Sequence, residues 1–141
     1  MSWEQKEIKL QSNERGFCLV TSQVLNQIPE ILDYKIGILQ LFIKHTSASL
    51  AINENADPTV RMDLESHFNI IIPENAPYYK HTTEGVDDMP AHIKSVVIGS
   101  SISIPISRGS LNLGTWQGIY LCEHRNHPSI RRVVATINGE K

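Results

Sequence analysis

The sequence predicts an α+β fold, in which one domain has a largely antiparallel sheet with two or three helices packed on it. The 141 residues are close to the commonest length of a single domain. Runs with strand-like patterns come in groups, and helical segments are inserted between the groups rather than after every strand. Glycine and proline occur singly as turn markers, and no linker or repeat divides the chain. We therefore expect a single domain over residues 1–141.

The chain begins with two short strands and a helix. Ile8 and Leu10 alternate with polar residues, and the apolar run GFCLV follows the polar turn SNER, which predicts two strands with a hairpin-like link. Thr21 or Ser22 then caps a helix whose apolar residues have helical spacing. Pro29 is expected to distort or shorten this helix, because a proline ring does not fit a helix interior.

The middle of the chain predicts the core and a second helix. Residues 36–52 are rich in β-branched and apolar side chains, which predicts two strands or one long bent strand. Asp57 and Pro58 form a favourable helix start, since aspartate accepts hydrogen bonds at the cap and proline suits the first helical position. Pro73 ends the helix. The polar connection at 73–85 has the length of a functional or partner-facing loop.

The second half predicts a third helix and three strands. The helix begins at Asp87 or Asp88, carries a proline in its first turn and ends at the next glycine. Isoleucines that alternate with polar residues predict a strand at 102–106. A turn with the sequence RGS leads to a long strand over 111–123, and a last strand follows over 131–137.

Composition argues against several classes of function. The formal net charge of −2 and the pI near 6.3 give no general attraction for nucleic acid. The start MSWEQKEIKL lacks the basic and apolar regions of an export signal, and no stretch reaches the ~18 apolar residues of a membrane span. Cys18 and Cys122 form no CxxC pair and are expected to be reduced. These features predict a cytoplasmic protein that binds neither nucleic acid nor membrane.

Strand phase identifies two candidate site residues. Alternate residues of a strand share a face, so His45 continues the apolar face of the strand at 39–43, and Glu123 continues that of the strand at 119–121. Each would lie at the margin of an apolar face, where sites form. The alternative is that both residues simply enter solvent as their strands leave the core.

The third helix carries another candidate, His92. It lies about 60° from Met89 around the helix, at ~100° per residue, and so borders the apolar stripe. Asp88, four residues earlier, lies on the same side, where a carboxylate can orient an imidazole or share a metal ion with it. The alternative is that Asp88 is only an acid at the helix N-terminus.

His81 stands in the polar loop, where core packing requires no imidazole. Together, His45, His81 and His92 would suit a catalytic zinc or similar ion with an open fourth position, with Asp87 and Asp88 as alternative ligands. The spacing of these residues matches no established metal motif. An exposed loop histidine is the alternative for His81.

The segment CEHRNHPSIRR offers two further patterns. Arg125 and Arg132 can clamp a phosphate by bidentate hydrogen bonds, and solvated strand ends are the alternative. Cys122, His124 and His127 form CxHxxH, which we interpret as mostly structural. The chain contains no GxGxxG, P-loop or GxSxG motif.

Three longer segments carry a family resemblance. HTSASLAINENADPTVRMDLE, EGVDDMPAHIKSVVIGSSISIPI and LNLGTWQGIYLCEHR occur in this order, and nearly the whole chain resembles the YjbQ-like, or secondary thiamine-phosphate synthase, family. The resemblance implies a compact α+β fold with a β-sandwich-like core, a homotrimer, and a polar cleft near subunit contacts. Its motifs mark as site residues His45, Thr46, Ser47, Asn53, Glu54, His81, His92, Lys94 and Glu123.

The resemblance also implies an activity. It is a weak thiamine-phosphate synthase-type transfer, which joins an aminopyrimidine methyl diphosphate to a thiazole phosphate and releases pyrophosphate. A divalent metal, Mg²⁺ or Zn²⁺, would neutralise the leaving group, and no organic cofactor is expected. The catalytic residues would be His45, His81, His92 and Glu123, and the substrate or phosphate would be bound by Thr46, Ser47, Asn53, Glu54, Lys94, Arg125 and Arg132.

Two other classes of function share this pocket. One is a metal-dependent hydrolase that acts on a small phosphorylated or acyl compound. The other is a non-catalytic protein that binds a small anion or metabolite. An enzyme is favoured, its physiological substrate stays open, and a small phosphorylated metabolite is the expected partner.

Overall fold

The computed structural model describes residues 1–141 and shows the predicted α+β domain, with two antiparallel sheets and three α-helices. The strands are β1 (Ser2–Leu10), β2 (Gly16–Leu19), β3 (Ile36–Ile43), β4 (Ala48–Glu54), β5 (Ser101–Ser107), β6 (Ser110–Leu111), β7 (Gln117–Glu123) and β8 (Arg131–Glu140). The α-helices are α1 (Thr21–Gln27), α2 (Pro58–Ile71) and α3 (Asp88–Ile98), and a 3-10 helix spans Pro29–Asp33.

The two sheets differ in size and share one core. The large sheet has the strand order β1-β8-β3-β5-β6, and the small sheet has the order β2-β7-β4. Side chains alternate along every strand, so one face of each sheet contributes to a single apolar cluster of 19 buried residues. Leu39, Leu41 and Ile43 of β3 and Ile119 and Leu121 of β7 lie in this cluster, on the faces that their phase predicts.

Helices α2 and α3 contact the strands of the small sheet. Phe17 of β2 packs on Phe68 of α2, with ring centroids 5.8 Å apart, and on Tyr120 of β7, at 6.1 Å. Ser95 of α3 donates a hydrogen bond of 2.9 Å to the carbonyl oxygen of Ala48 in β4. These contacts fix α3 beside the turn between β3 and β4, and this turn carries His45. None of the helices is long and apolar enough to cross a membrane.

Local chemistry sets the start of α2 as the sequence predicts, but the prediction for α1 is wrong, because its N-cap is Val20, without a side-chain hydrogen bond, and not Thr21 or Ser22. Asp57 accepts a hydrogen bond of 2.9 Å from the backbone N–H of Thr59 and caps α2. Helix α1 stops at Gln27 and Pro29 begins a separate 3-10 helix, because proline lacks the N–H that would continue the first helix. Helix α3 begins at Asp88.

The prediction of one long strand over 111–123 is wrong. Residues 112–116 form a loop between β6 and β7. The amide side chain of Gln117 accepts a hydrogen bond of 2.8 Å from the backbone N–H of Gly114, and Asn55 donates to the carbonyl oxygens of Thr115 and Gln117 at 3.2 and 3.0 Å. These side chains satisfy backbone groups that a continuous strand would have paired in a sheet.

Candidate functional site

The N-terminus of α3 is built around two consecutive aspartates. Gly85 lies two residues before Asp87. Its φ of +105° favours glycine, and a Cβ there would lie 2.9 Å from Oδ1 of Asp87. Both Asp87 and Asp88 are buried, although the loop before them is exposed. The backbone therefore turns sharply at the end of the polar loop and directs two carboxylates inward.

Asp88 meets two histidines. Its Oδ2 lies 2.7 Å from Nε2 of His81 and 3.1 Å from Nε2 of His92, one turn further along α3. The potential ligand atoms of these three residues all lie within 4.8 Å of one another. The Asp88 side chain is 5% exposed, whereas His81 and His92 are 44% and 32% exposed. The cluster is thus a buried carboxylate with two imidazoles that open to solvent.

The ring of His92 is held in one tautomer. Its Nδ1 lies 2.9 Å from the carbonyl oxygen of Thr46, and a carbonyl oxygen only accepts, so Nδ1 carries the hydrogen. In the neutral ring, Nε2 then carries a lone pair, and this lone pair faces the carboxylate of Asp88, 3.1 Å away. Two acceptors at this distance need a cation between them, either a proton or a metal ion. An imidazole whose second nitrogen donates to a backbone carbonyl is also the usual arrangement of a metal ligand.

Arg125 holds the other side of the carboxylates. Its Nη1 lies 2.7 Å from Oδ1 of Asp88 and its Nε lies 2.9 Å from Oδ2 of Asp87, while Nη2 donates to the carbonyl oxygen of Glu84 at 3.0 Å. Because Arg125 binds Oδ1 of Asp88, Oδ2 stays directed at the histidines. Arg125, which the sequence analysis predicted as a phosphate ligand, therefore binds protein groups through Nε and both Nη atoms.

Both aspartates are carboxylates at neutral pH. Burial opposes the ionisation of Asp88, but the hydrogen bond from His81 and the charge of Arg125 outweigh it, so the pKa of Asp88 lies below its ordinary value. Burial likewise opposes the ionisation of Asp87. Hydrogen bonds from the backbone N–H of Asn126 and from Arg125 outweigh it, and the pKa of Asp87 is also lowered.

The three groups fit a transition-metal ion. With metal–ligand distances of ~2.1 Å, adjacent ligands lie ~3.0 Å apart around an octahedral ion and ~3.4 Å apart around a tetrahedral ion. The 3.1 Å from Asp88 to His92 lies within this range, and the 2.7 Å from Asp88 to His81 is a hydrogen-bond distance that a bound ion would widen. Two imidazoles and one carboxylate supply three ligands, which leaves positions for water or another ligand, as in catalytic rather than structural metal sites.

His45 lies outside this cluster. Its Nε2 accepts a hydrogen bond of 2.8 Å from the backbone N–H of Arg132, and its Nδ1 lies 3.4 Å from Nη1 of Arg131. Because Nε2 accepts, Nδ1 carries the hydrogen of the neutral ring, and its approach to Nη1 of Arg131 is a contact between two donors and not a hydrogen bond. Burial, together with the charge of Arg131, lowers the pKa of His45, so the ring is neutral. Asp88, an alternative ligand in the sequence prediction, takes the place that the prediction gave to His45.

A cleft connects His45 with the cluster. It has a volume of about 410 Å³ and lies between the turn after β3 and one face of α3. His45 and Thr46 line one side, and His92, Ser95 and Val96 line the other. His92 is thus shared between the cluster and the cleft, whereas His81 and Asp88 do not line the cleft.

Glu123 is placed differently from the sequence prediction. Its side chain is 0% exposed and forms an ion pair with Arg131, whose Nε donates at 2.8 Å. It also accepts hydrogen bonds from the backbone N–H groups of Arg125, at 3.2 Å, and Ser129, at 3.3 Å. Nη1 of Arg131 donates to Oγ of Ser47 at 3.1 Å. Glu123 therefore organises the loop before β8, away from His81 and from solvent.

Arg131 was not selected in the sequence analysis. Its phase could have identified it, because Arg131, Val133, Ala135 and Ile137 alternate along β8 and share the buried face. Arg132, which was selected, points to the opposite face. It is half-exposed and pairs with Glu7 at 3.0 Å.

Lys94, another expected phosphate partner, is buried. It is 1% exposed, and its Nζ donates to Oδ1 of Asn69 in α2 at 2.7 Å. Burial, and then the charge of Arg15, lowers the pKa of Lys94. Its ammonium group therefore contacts α2 rather than a ligand in the cleft.

Asn53 and Glu54 also lie apart from the histidines. Both are in the last residues of β4, and Oε2 of Glu54 accepts a hydrogen bond of 2.7 Å from the backbone N–H of Asp57. Glu54 thus supports the start of α2. Glu54 and the following Asn55 therefore contribute local structure in this chain.

The CxHxxH segment forms no cluster of metal ligands. His124 is buried, with Nε2 2.7 Å from Oγ of Ser49, whereas His127 is exposed. Burial, helped by the charge of Lys94, lowers the pKa of His124 to about 3. Burial raises the pKa of Cys122 to about 12, and Cys18 and Cys122 are both free thiols, as expected.

Comparisons with known proteins agree with one another. The family model described as "UPF0047 protein YjbQ-like" matches residues 6–140. The UPF0047 protein YjbQ of Escherichia coli O157:H7 is 50% identical over 138 residues, which cover 98% of this chain and 99% of that protein. The solved structure of a hypothetical protein from Aeropyrum pernix K1 has a TM-score of 0.84 at 30% identity and covers 97% of this chain and 99% of its own. An uncharacterized protein of the YjbQ/UPF0047 family from Clostridium acetobutylicum has a TM-score of 0.80 at 36% identity, covering 94% and 99%.

These relatives correct the predicted activity. The thiamine-phosphate synthase-type transfer is wrong, because the relatives are described only as UPF0047 proteins and the solved structures as hypothetical or uncharacterized. The geometry gives a physical reason in the same direction. Lys94 is buried against Asn69, Arg132 pairs with Glu7, and neither lies free beside the histidines to hold the two phosphates of such a reaction.

Proposed function

The chain belongs to the UPF0047 family of YjbQ-like proteins, and we propose that His81, Asp88 and His92 bind a divalent transition-metal ion whose open positions bind a small anionic ligand. One observation carries the proposal. The hydrogen bond from Nδ1 of His92 to the carbonyl oxygen of Thr46 turns the Nε2 lone pair toward the carboxylate of Asp88, 3.1 Å away. A metal ion between these acceptors, also bound by His81, satisfies all three groups at once.

The donor set favours Zn²⁺ or a similar ion over Mg²⁺. Magnesium prefers oxygen ligands and usually retains several waters, whereas zinc and its neighbours bind imidazole nitrogen readily. Two of the three donors here are imidazole nitrogens. Arg125 and the Thr46 carbonyl then serve as the outer groups that orient Asp88 and His92.

The ligand that we propose is a small phosphorylated metabolite. A bound divalent ion would polarise a phosphoryl oxygen and lower the pKa of a bound water. The cleft of about 410 Å³ beside His92 has the size of a small-molecule site. Ser95 and the neutral imidazole of His45 line it.

Metal analysis tests this proposal. Purified protein is stripped of metal, dialysed, loaded with Zn²⁺ and analysed by mass spectrometry for metal content, and its affinity is measured by calorimetry. We expect one ion per chain and a loss of at least tenfold in affinity for His92→Ala and for Asp88→Ala. His67→Ala, at an exposed histidine of α2, is the matched control and is expected to bind like the wild type. Equal affinity in all four proteins would overturn the proposal.

We also propose that the chain assembles as a homotrimer in the cytoplasm. The family resemblance implies three chains in the assembly. Exposed apolar side chains support an interface between them. Ile36, Ile38 and Phe42 on the outer face of β3 are 61%, 54% and 47% exposed. The free thiols fit a reducing compartment. Light scattering should give three times the chain mass of 15.9 kDa, and Ile38→Lys should lower it; a monomer mass for the wild type would contradict the trimer.

A further inference from the structure

The two edges of the large sheet differ in how they are covered. At the β1 edge, the side chain of Gln27 in α1 accepts a hydrogen bond of 3.0 Å from the backbone N–H of Lys9 and donates one of 2.7 Å to its carbonyl oxygen. The side chain of Gln23 forms the same two bonds with the backbone of Gln11, at 3.1 and 3.0 Å. Two amide side chains therefore take the place of a neighbouring strand, and this edge is closed to another chain.

The opposite edge of the sheet, the β6 edge, has no such cover. Leu111 of β6 faces Ile106 of β5, and the backbone N–H of Asn112 donates to the carbonyl oxygen of Pro105 at 2.8 Å. Because hydrogen-bonded and non-bonded positions alternate in an antiparallel pair, the N–H and C=O groups of Leu111 point away from β5. These groups and those of Leu113 form no hydrogen bond with the rest of the chain. The β6 edge thus presents free donors and acceptors at alternate residues.

An apolar cavity lies beside the β6 edge. It has a volume of about 550 Å³, and Leu111 and Leu113 line it from the edge. Leu25, Ile28 and Leu32 line it from the segment that contains α1 and the 3-10 helix. Leu32 is 74% exposed and Ile28 is fully buried, so the cavity extends from solvent to the core. No charged residue lines it, and its walls therefore suit an apolar group.

We infer that the β6 edge binds an extended peptide segment of a partner protein, which adds a strand to the sheet and places an apolar side chain in the cavity. Free N–H and C=O groups at alternate residues pair with another extended chain, whereas a small apolar molecule would leave them without partners. Pairing of two β6 edges would give a two-fold dimer and not the trimer proposed above. The inference is independent of the metal proposed at His81, Asp88 and His92, since none of these residues lines the cavity.

NMR titration with short peptides tests the β6 edge. The probes are five peptides of the sequence Ac-KTXTVK-NH2, in which X is alanine, valine, leucine, phenylalanine or tryptophan. We expect chemical shift changes at the backbone amides of Leu111 and Leu113. The best large apolar X should bind at least tenfold more tightly than alanine, because its side chain is buried in the cavity. No shift with any of the five peptides, or equal affinity for all five, would overturn the inference.

Methylated peptides separate strand pairing from simple insertion of a side chain. Neighbouring residues of a strand direct their N–H groups to opposite sides. The best peptide is therefore methylated either on the backbone nitrogen of X or on that of the following threonine. One of the two products should bind at least tenfold more weakly than the parent, and the other should bind like it. Equal affinity of both products would show that no strand is added and would overturn the inference.

Variants of Leu111 assign the binding to the β6 edge. Leu111→Pro removes the N–H that faces the partner and keeps the hydrogen bonds to β5, which do not use this group. It should lower the affinity for the best peptide at least tenfold, whereas the matched control Leu111→Val, which keeps the N–H, should lower it less. Light scattering should give the same mass for Leu111→Pro and the wild type. Unchanged peptide affinity in folded Leu111→Pro, or a lower mass that shows a second copy on this edge, would overturn the inference.

Discussion

Replacing Arg131 by methionine should destabilise the fold strongly. The guanidinium is nearly buried and pairs with Glu123, which is fully buried, and it also donates to Ser47. Methionine fills a similar volume but leaves the carboxylate of Glu123 without its cation. Breaking a buried pair in this way costs about 3–5 kcal/mol, which for a domain of this size is a fall in Tm of roughly 10–17 °C.

Denaturant unfolding at one fixed protein concentration measures this loss. Arg132→Met is the matched control, because the neighbouring arginine is half-exposed and pairs with Glu7; it should cost less than about 1 kcal/mol. The double variant Glu123→Gln with Arg131→Met should recover at least about 1 kcal/mol of the loss. The glutamine side chain at position 123 carries no charge, and its oxygen can still accept hydrogen bonds from the backbone N–H groups of the loop. A loss below about 1 kcal/mol for Arg131→Met would refute the structural role of the pair.

The pKa of His124 is about 3 in the folded chain and 6.5 ordinarily, so on acidification the unfolded chain binds this proton first. The free energy of unfolding should therefore fall as the pH drops from 6.5 toward 3, by up to about 1.4 kcal/mol per pH unit. In unfolding measured as a function of pH, His124→Gln should flatten this slope. Asp57→Ala removes the cap of α2 and should lower the free energy of unfolding in the same assay, whereas no change would argue against the cap. Arg125→Gln releases Asp88 and should weaken zinc binding by roughly 10–100-fold in calorimetry, and unchanged affinity would show that Arg125 does not orient the carboxylate.

Much of the fold follows from local patterns. The two-residue period predicted the buried faces of β3 and β7, and Asp57 with Pro58 predicted the start of α2. The long strand at 111–123 failed because Gln117 and Asn55 bind backbone groups across a loop. The spacing of apolar residues in the sequence does not show that a side chain replaces a hydrogen bond of the sheet.

The candidate site divides in the same way. Asp88 and His92 are four residues apart on one helix, so their contact was predictable from spacing alone. His81 reaches them only through the path of the loop at 73–85, which no local rule gives. The phase of Glu123 was predicted correctly, but its surroundings were not. Its partner Arg131 belongs to β8, which follows a separate loop. Partners contributed by distant segments are what the sequence could not show.

The metal centre is tested most directly by anomalous diffraction from crystals of the zinc-loaded protein. We expect a zinc peak at ~2.0–2.2 Å from Nε2 of His81, Nε2 of His92 and Oδ2 of Asp88. Crystals of Asp88→Ala should lack this peak. A zinc peak at other residues alone, such as the exposed His127, or no peak in the wild type, would contradict it.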